Sequence, residues 1–508
     1  MAVDVEHGAL SAAASPEVAR ASTTRWAAPV IGVLASLISF IGSWIPAVYG
    51  DEAATLSVAT RSWSELRVLL GEVDAVHGMH YAVMHVWLAA FGTTPLSLRL
   101  PSVLAVGLAA AGVVVLGRRL VSLRAGVFAG LVLAVLPRVT WIAIEGRSSA
   151  MTLAAAVWLT VLLLAAADRG SWRIWAAYAV AVALAVSLWI FLVLLVAAHG
   201  ATLLWLRHRR GVLVSWTVAA AAGGLAASPV VLLSRAQRGQ VSWIPQLGKD
   251  TVKYVIVEQW FGIEGFPSLP VAGLCWLLIA VALFTAWRAR DLRSPLFAVA
   301  MPWLVLPTAG LLALSLVSTP VYVPRYVAFS LPAVALLVGA AIAALPRPRA
   351  SGAALLAVAV LSLQAYVGDR RPDSKDNSDW ASVVRIIESN SAPDDAILYG
   401  DLFDEHGASR GPARALAYAY PGYLDGLADV ALIGPAEREG SLWGTSLPMT
   451  DAAAVLTGRR SVWVVYDHTK AFLAPGNRDN AALRDAGFAI SGSWIGDKTD
   501  VVHLTRSP

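Results

Sequence analysis

The sequence predicts a multi-span α-helical membrane protein with a C-terminal extracytoplasmic α/β domain. Three observations predict it. The 508-residue chain is 57% hydrophobic with a mean hydropathy of +0.64. Only 14% of its residues are charged, against about 25% in soluble domains. Apolar runs recur up to about residue 367, and the character changes sharply at Gly368 (GDRRPDSKDNSDW). This composition excludes an ordinary soluble enzyme, a disordered chain and a disulfide scaffold. The net charge of +5 is not a nucleic-acid signal, because the Arg residues sit in short clusters between apolar runs, which is a topology signal. The single Cys, Cys275, has no partner for an internal disulfide.

A spanning helix needs about 20 mostly apolar residues. Segments 27–49, 100–117, 125–144, 149–167, 172–188, 190–206, 211–233, 270–287, 295–317, 326–345 and 351–367 fit, giving about eleven transmembrane helices. The stretch 174–206 has no charge and is too long for one crossing, so it is divided near Trp189. Residues 1–26 read as a disordered cytoplasmic tail without a cleavage signal. Basic residues mark every second connection: Arg20 and Arg25, Arg118, Arg119 and Arg124, Arg169 and Arg173, Arg207 to Arg210, Arg288 to Arg293, Arg347 and Arg349. Such excess marks cytoplasmic loops. The expectation is a cytoplasmic N-terminus and an extracytoplasmic tail. The alternation holds only if His80–Gly92 lies along the membrane surface as a short amphipathic segment. The first external loop is then 50–99 and the second 234–268.

The tail, 368–508, reads as a compact α/β module. Asp379–Ser389 has helical spacing. Ala396–Tyr399 and Ser461–Tyr466 read as buried strands, Ala481–Gly487 as a helix end, and 488–494 and 500–505 as further strands.

Chemistry concentrates at the expected outer surface. Asp51-Glu52 follows the first span directly. Adjacent carboxylates at a membrane boundary are costly without a partner or a purpose. A structural alternative is that Asp51 caps the next helix. Glu72, Asp74, His77 and His80 follow. Carboxylate and imidazole suit a metal, but this spacing is no recognised metal signature, and polar loop or phosphate contacts fit better. Glu145 with Arg147, and Arg325 with Tyr326, sit at external helix ends. External Arg runs against the inside-positive bias, and its planar fork of donors suits phosphate oxygens. The second loop mixes Trp243, Trp260 and Phe261 with Lys249 and Lys253. It reads either as an interfacial aromatic belt or as a flap over a lipid phosphate and sugar.

The ordered set of motifs resembles the GT-C superfamily of membrane glycosyltransferases, within the group of protein O-mannosyltransferases and the lipid A aminoarabinose transferase. The resemblance rests on Asp51-Glu52, on His77–Gly92 with Leu98-Arg99-Leu100-Pro101-Ser102 and Gly117-Arg118-Arg119-Leu120, on Glu145-Gly146-Arg147, and on Pro324-Arg325-Tyr326 with Leu331-Pro332. It covers roughly 27–366. Gly78-Met79 replaces a pair of prolines frequent in the group, and Arg147-Ser148-Ser149 replaces a frequent Arg-Pro-Tyr.

The resemblance implies a transferase that inverts the anomeric carbon of a polyprenyl-phosphate-sugar donor at the outer face. Asp51 would be the catalytic base. Arg147, Lys249 and Arg325 would clamp phosphate, His77 and His80 would bond phosphate or sugar, and Glu52 would orient Asp51 or bind a hydroxyl. Asp74, Glu145, Trp243 and Tyr326 complete the expected substrate-binding set. Some members hold a divalent cation near the acidic pair and others do not. The Ala, Val and Arg richness with few Lys suggests an actinobacterium. There the expected reaction is mannosyl transfer to a cell-envelope glycan, glycolipid or lipoglycan, with arabinofuranosyl or other pentose transfer as the alternative. A lipid or polysaccharide flippase is a rival, but neither a repeat nor midplane charges are evident. A non-catalytic sensor is a second rival, which has no need of an acidic pair at the first boundary.

Overall fold

The computed structural model describes residues 16–262, 268–376, 378–403 and 409–506. Residues 1–15 of the expected tail lie outside the described residues, and from Pro16 the chain is already helical. The first helices in order are α1 (Pro16–Phe40), α2 (Gly50–Ala59), α3 (Trp63–Glu72), α4 (Gly78–Phe91), α5 (Pro95–Leu120) and α6 (Leu123–Val135). They are followed by α7 (Pro137–Ala143), α8 (Ser149–Arg169), α9 (Trp172–Leu188), α10 (Leu192–Trp205) and α11 (Arg210–Ala236). Apolar helices Leu269–Arg288, Pro295–Val317, Leu331–Ala343 and Pro348–Gly368 complete the bundle.

Among the described residues, seven helices are long and apolar enough to cross a membrane. Taken together, α6 and α7 are also long and apolar enough, but the pair is bent by 64° at its break, the shape of a broken span or a re-entrant loop. Arg25–Phe40, α9 and α10 are apolar but shorter. The chain is a multi-pass membrane protein. The uncharged stretch breaks as expected, at Trp189–Phe191 between α9 and α10.

Small residues allow close helix approach where lipid offers no hydrophobic drive. A Cβ on Gly107 of α5 would fall 2.0 Å from Ser36 Oγ of α1, and one on Gly117 would fall 2.5 Å from Gly126 Cα of α6. Peripheral helices turn apolar side chains outward, as with Val218 and Leu225 of α11, which suits hydrocarbon as the surrounding solvent.

Between α1 and α5 the chain builds a cap of short helices. α3 opens with a capping box at Ser62 and Glu65. α4 is amphipathic: His80, Tyr81, Met84 and Leu88 are buried, whereas Val83, Val86 and Phe91 are exposed. Met84 and Leu88 join one core with Leu56 of α2 and with Trp380, Ile387 and Leu416 of the C-terminal domain. The short helix thus packs against protein on its buried side.

The C-terminal domain begins with helix Trp380–Asn390. Its strands are β1 (Ala396–Tyr399), β2 (Asp401–Phe403), β3 (Ser409–Pro412), β4 (Ala428–Asp429), β5 (Leu432–Gly434), β6 (Thr445–Ser446), β7 (Ser461–Asp467), β8 (Phe488–Trp494) and β9 (Thr499–Arg506). The main sheet has the order β4-β1-β7-β9-β8, parallel across β4-β1-β7 and antiparallel across β7-β9-β8. The apolar run of β7 occupies the centre, covered on both faces, as such runs require. Every strand read from the tail sequence is present.

The domain is docked on the cap. Arg61, buried at the end of α2, donates to the carbonyls of Ala436 (3.2 Å) and Ser441 (2.7 Å). Ser57 Oγ donates to Leu442 O at 2.7 Å, and Tyr420 Oη accepts from Val48 N at 2.9 Å.

Candidate active site

The first turn of α2 carries Asp51 and Glu52, where the positive end of the helix dipole favours carboxylates. The cap position is Tyr49, not Asp51. The two neighbours have opposite environments, because consecutive helical residues point about 100° apart. Glu52 is fully buried and held by Arg99 of α5, Nε to Oε1 at 2.8 Å and Nη2 to Oε2 at 2.6 Å. Its Oε1 also accepts from Gly146 N at 2.8 Å. Arg99 spends its remaining donors on the carbonyls of Ser43, Pro46 and Ala47. Glu52 thus ties α2, α5 and the 145–147 turn together, and its fully buried side chain is absent from the pocket wall.

Asp51 opens into a pocket of about 420 Å³ including its mouth. Its carboxylate lies 3.2 Å from Arg325 Nη2, with both side chains about one-third exposed. Arg147 enters from the turn between α7 and α8. It donates to Asp51 O (3.3 Å), Tyr81 Oη (3.2 Å) and His77 Nε2 (2.9 Å). His77, Glu145, Trp189 and Tyr326 complete the main walls. The His77 ring stacks on Trp189 at 5.6 Å, and Trp189 Nε1 donates to Tyr326 O at 2.9 Å.

Two buried polar atoms of this wall lack a partner, His77 Nδ1 and Glu145 Oε2. Guanidinium offers only donors, so His77 Nε2 must present its lone pair to Arg147 and the neutral ring carries its proton on Nδ1. Burial, reinforced by the charge of Arg147, holds the His77 pKa well below that of a free imidazole. Within the wall, His77 therefore keeps an unused N–H and Glu145 an unused carboxylate oxygen. Tyr49 donates to the other Glu145 oxygen, Oε1.

Asp51, His77, Glu145, Arg147, Arg325 and Tyr326, all singled out from the sequence, are brought together. Five other expectations are corrected. Glu52 is consumed by Arg99. Asp74 accepts from Tyr81 Oη at 2.7 Å, so it reaches the pocket only through Tyr81 and Arg147. Burial raises its carboxyl pKa, opposed by Arg147. His80 is buried against Gly146 O at 3.3 Å, and burial with Arg147 pushes its pKa down to about 3. Trp243 and Lys249 are exposed and absent from the pocket wall. Trp260 and Phe261, by contrast, are buried among the helices beside Trp276, so they form neither belt nor flap.

Trp189 is the wall residue that the sequence reading used only as a helix break; an indole at a broken, uncharged run was the available signal. Lys375, from the linker into the C-terminal domain, was also missed. It is fully buried, donates to Trp141 O at 3.2 Å and lies over the Trp141 ring. Among the described residues, no three His, Cys, Asp or Glu side chains are grouped to hold a metal ion. With Glu52 turned to Arg99, the acidic pair does not form a cation site.

The model of the family described as dolichyl-phosphate-mannose-protein mannosyltransferase matches residues 78–233. ArnT from Cupriavidus metallidurans in the apo state superposes with a TM-score of 0.59 at 15% identity, covering 95% of this chain and 98% of that one. The chain has the GT-C fold. ArnT bound to undecaprenyl phosphate gives a TM-score of 0.56 at 16% identity, covering 93% and 97% of the two chains. The Archaeoglobus fulgidus oligosaccharyltransferase in its apo form gives 0.51 at 11% identity, with 92% and 73% covered. The GT-C likeness to ArnT extends through the C-terminal domain, since nearly all of both chains is aligned. No curated protein matches the sequence.

Proposed function

We propose that the chain is an inverting membrane glycosyltransferase. It moves a sugar, mannose in the favoured reading, from a polyprenyl-phosphate donor to a hydroxyl of a cell-envelope glycan, glycolipid or lipoglycan. The reaction takes place at the outer face of a bacterial plasma membrane. One observation carries the reading: one pocket beside apolar helices sets the Asp51 carboxylate against the Arg325 guanidinium and holds the Arg147 guanidinium on the Asp51 backbone carbonyl. The family match and the undecaprenyl phosphate held by ArnT support the same donor class.

The donor's lipid stays among the apolar helices while its phosphate reaches the arginines. Phosphate competes with Asp51 for Arg325 and withdraws it from the carboxylate, so that donor binding itself releases the base. Asp51 then takes the proton of the acceptor hydroxyl as its oxygen bonds to the anomeric carbon. The bond from that carbon to the phosphate oxygen breaks on the opposite face, and the phosphate leaves with the electron pair. Arg325 and Arg147 neutralise its growing charge. The His77 Nδ1–H donates to a phosphate or sugar oxygen, and Glu145 Oε2 accepts from a sugar hydroxyl. The proton on Asp51 passes to water.

The test is transfer by the purified protein from polyprenyl-phosphate-mannose, with the arabinofuranose donor in parallel. Asp51→Asn should abolish transfer while leaving folding intact. Turnover near the unmodified rate in that variant sinks the base role, and transfer of arabinofuranose alone sinks the mannose reading.

A further inference from the structure

A second cleft lies in the C-terminal domain, between helix Trp380–Asn390 and the turn joining β8 to β9. It measures about 550 Å³ including its mouth. Asp379 and Ser382 line one side; Trp494, Ile495, Asp497 and Thr499 line the other. Asp379 Oδ2 is fixed by the backbone amides of Lys498 (3.0 Å) and Thr499 (2.9 Å). Its Oδ1 is buried without a partner, as is the hydroxyl of Thr499, a residue only 1% exposed. Buried polar atoms are nearly always matched, so two orphans in the walls of one cleft point to a ligand.

The chemistry of the walls selects that ligand. A fixed carboxylate oxygen accepts one hydrogen bond and an adjacent hydroxyl gives or takes another, which matches neighbouring hydroxyl groups. The half-buried Trp494, braced on its inner side by the stacked Trp463 at 5.5 Å, offers an apolar surface for a ring's C–H face. Asp379 and Asp497 repel an anion. An apolar ligand would leave both orphans unmatched. A neutral sugar meets all three demands.

The position fits the acceptor. Ser378, next to Asp379, donates to Val48 O at 2.8 Å, and Ala47 N donates to Pro372 O at 2.7 Å. The cleft therefore starts beside the chain segment that leads, three residues later, to Asp51.

We propose that this cleft is a sugar-binding subsite that holds the acceptor glycan away from the transfer pocket. The proposal rests on the transferase reading for the word acceptor, but the binding itself does not.

The test uses the full chain in lipid nanodiscs, with a soluble manno-oligosaccharide of about four residues and the same glycan on a lipid anchor, both followed by saturation-transfer NMR and calorimetry. Trp494→Ala and Thr499→Val should each weaken binding about tenfold, as expected for one lost buried contact. Thr499→Val, which keeps the side-chain shape, should melt no earlier than the unmodified chain, and Asp51→Asn should bind normally. Preference for the lipid-anchored form identifies a glycolipid acceptor; equal binding identifies the free glycan. Unchanged affinity in both variants overturns the proposal, as does failure of an actively transferring wild-type protein to bind either probe. Binding that depends on Trp494 and Thr499 in a protein that transfers no sugar would uphold the cleft and refute the transferase reading instead.

Discussion

Asp51 and Glu52 are adjacent carboxylates with opposite expected responses to the same change, amide for acid. Glu52 and Arg99 are both fully buried. Glu52→Gln leaves a buried guanidinium without its counter-charge and sets amide N–H donors against its own N–H groups. Breaking one side of a buried pair costs about 3–5 kcal/mol. The loss spreads, because the same carboxylate holds Gly146 N and the same guanidinium holds three carbonyls. Asp51→Asn weakens a partly exposed contact with Arg325 at 3.2 Å, a contact worth about 1 kcal/mol or less after solvent screening. Its chemical cost is large: loss of a general base slows transfer by about 10²–10⁴-fold. The assay pairs thermal unfolding in detergent with single-turnover sugar transfer on the same preparations. Asp51→Asn should melt near the unmodified protein and transfer almost nothing; Glu52→Gln should melt far earlier and transfer in proportion to its folded fraction. Equal melting of the two variants refutes the buried-pair argument, and full activity in Asp51→Asn refutes the base.

Arg325→Ala and Arg147→Ala should raise the donor KM and lower kcat, with a smaller effect on the acceptor KM; unchanged donor kinetics would remove the phosphate clamp. His77 and His80 are held neutral by burial, below the ordinary imidazole value near 6.5. The unfolded chain therefore binds more protons than the folded one below about pH 6.5, and stability falls as pH falls, by about 1.4 kcal/mol per pH unit for each histidine. For His80 the loss continues down to about pH 3, and His80→Gln should flatten that slope in a melting series between pH 6.5 and 5. Arg61→Ala strands the carbonyls of Ala436 and Ser441 and should weaken docking of the C-terminal domain by about 2–3 kcal/mol. Limited proteolysis in the 369–379 linker should then accelerate, and an unchanged cleavage rate would count against Arg61 as a docking residue.

The apolar spans, the break near Trp189, the strands of the tail and the polar residues at helix ends were all legible in the sequence, because hydropathy and periodicity are local properties of consecutive residues. The set Asp51, Arg147 and Arg325 was legible for a related reason, since charges at a membrane boundary are costly and few. What tertiary structure alone decided is the division of labour within that set. A rotation of about 100° between neighbours on α2 sends Glu52 to Arg99 and Asp51 to the pocket, and no local pattern records which way each faces. The same holds for Lys249, which carries the right charge for a phosphate but is exposed and outside the pocket wall. It holds as well for Trp189, whose place in the pocket wall exists only because helices distant in sequence close around it. Charge and polarity are written residue by residue, whereas which group meets which partner depends on how the helices pack.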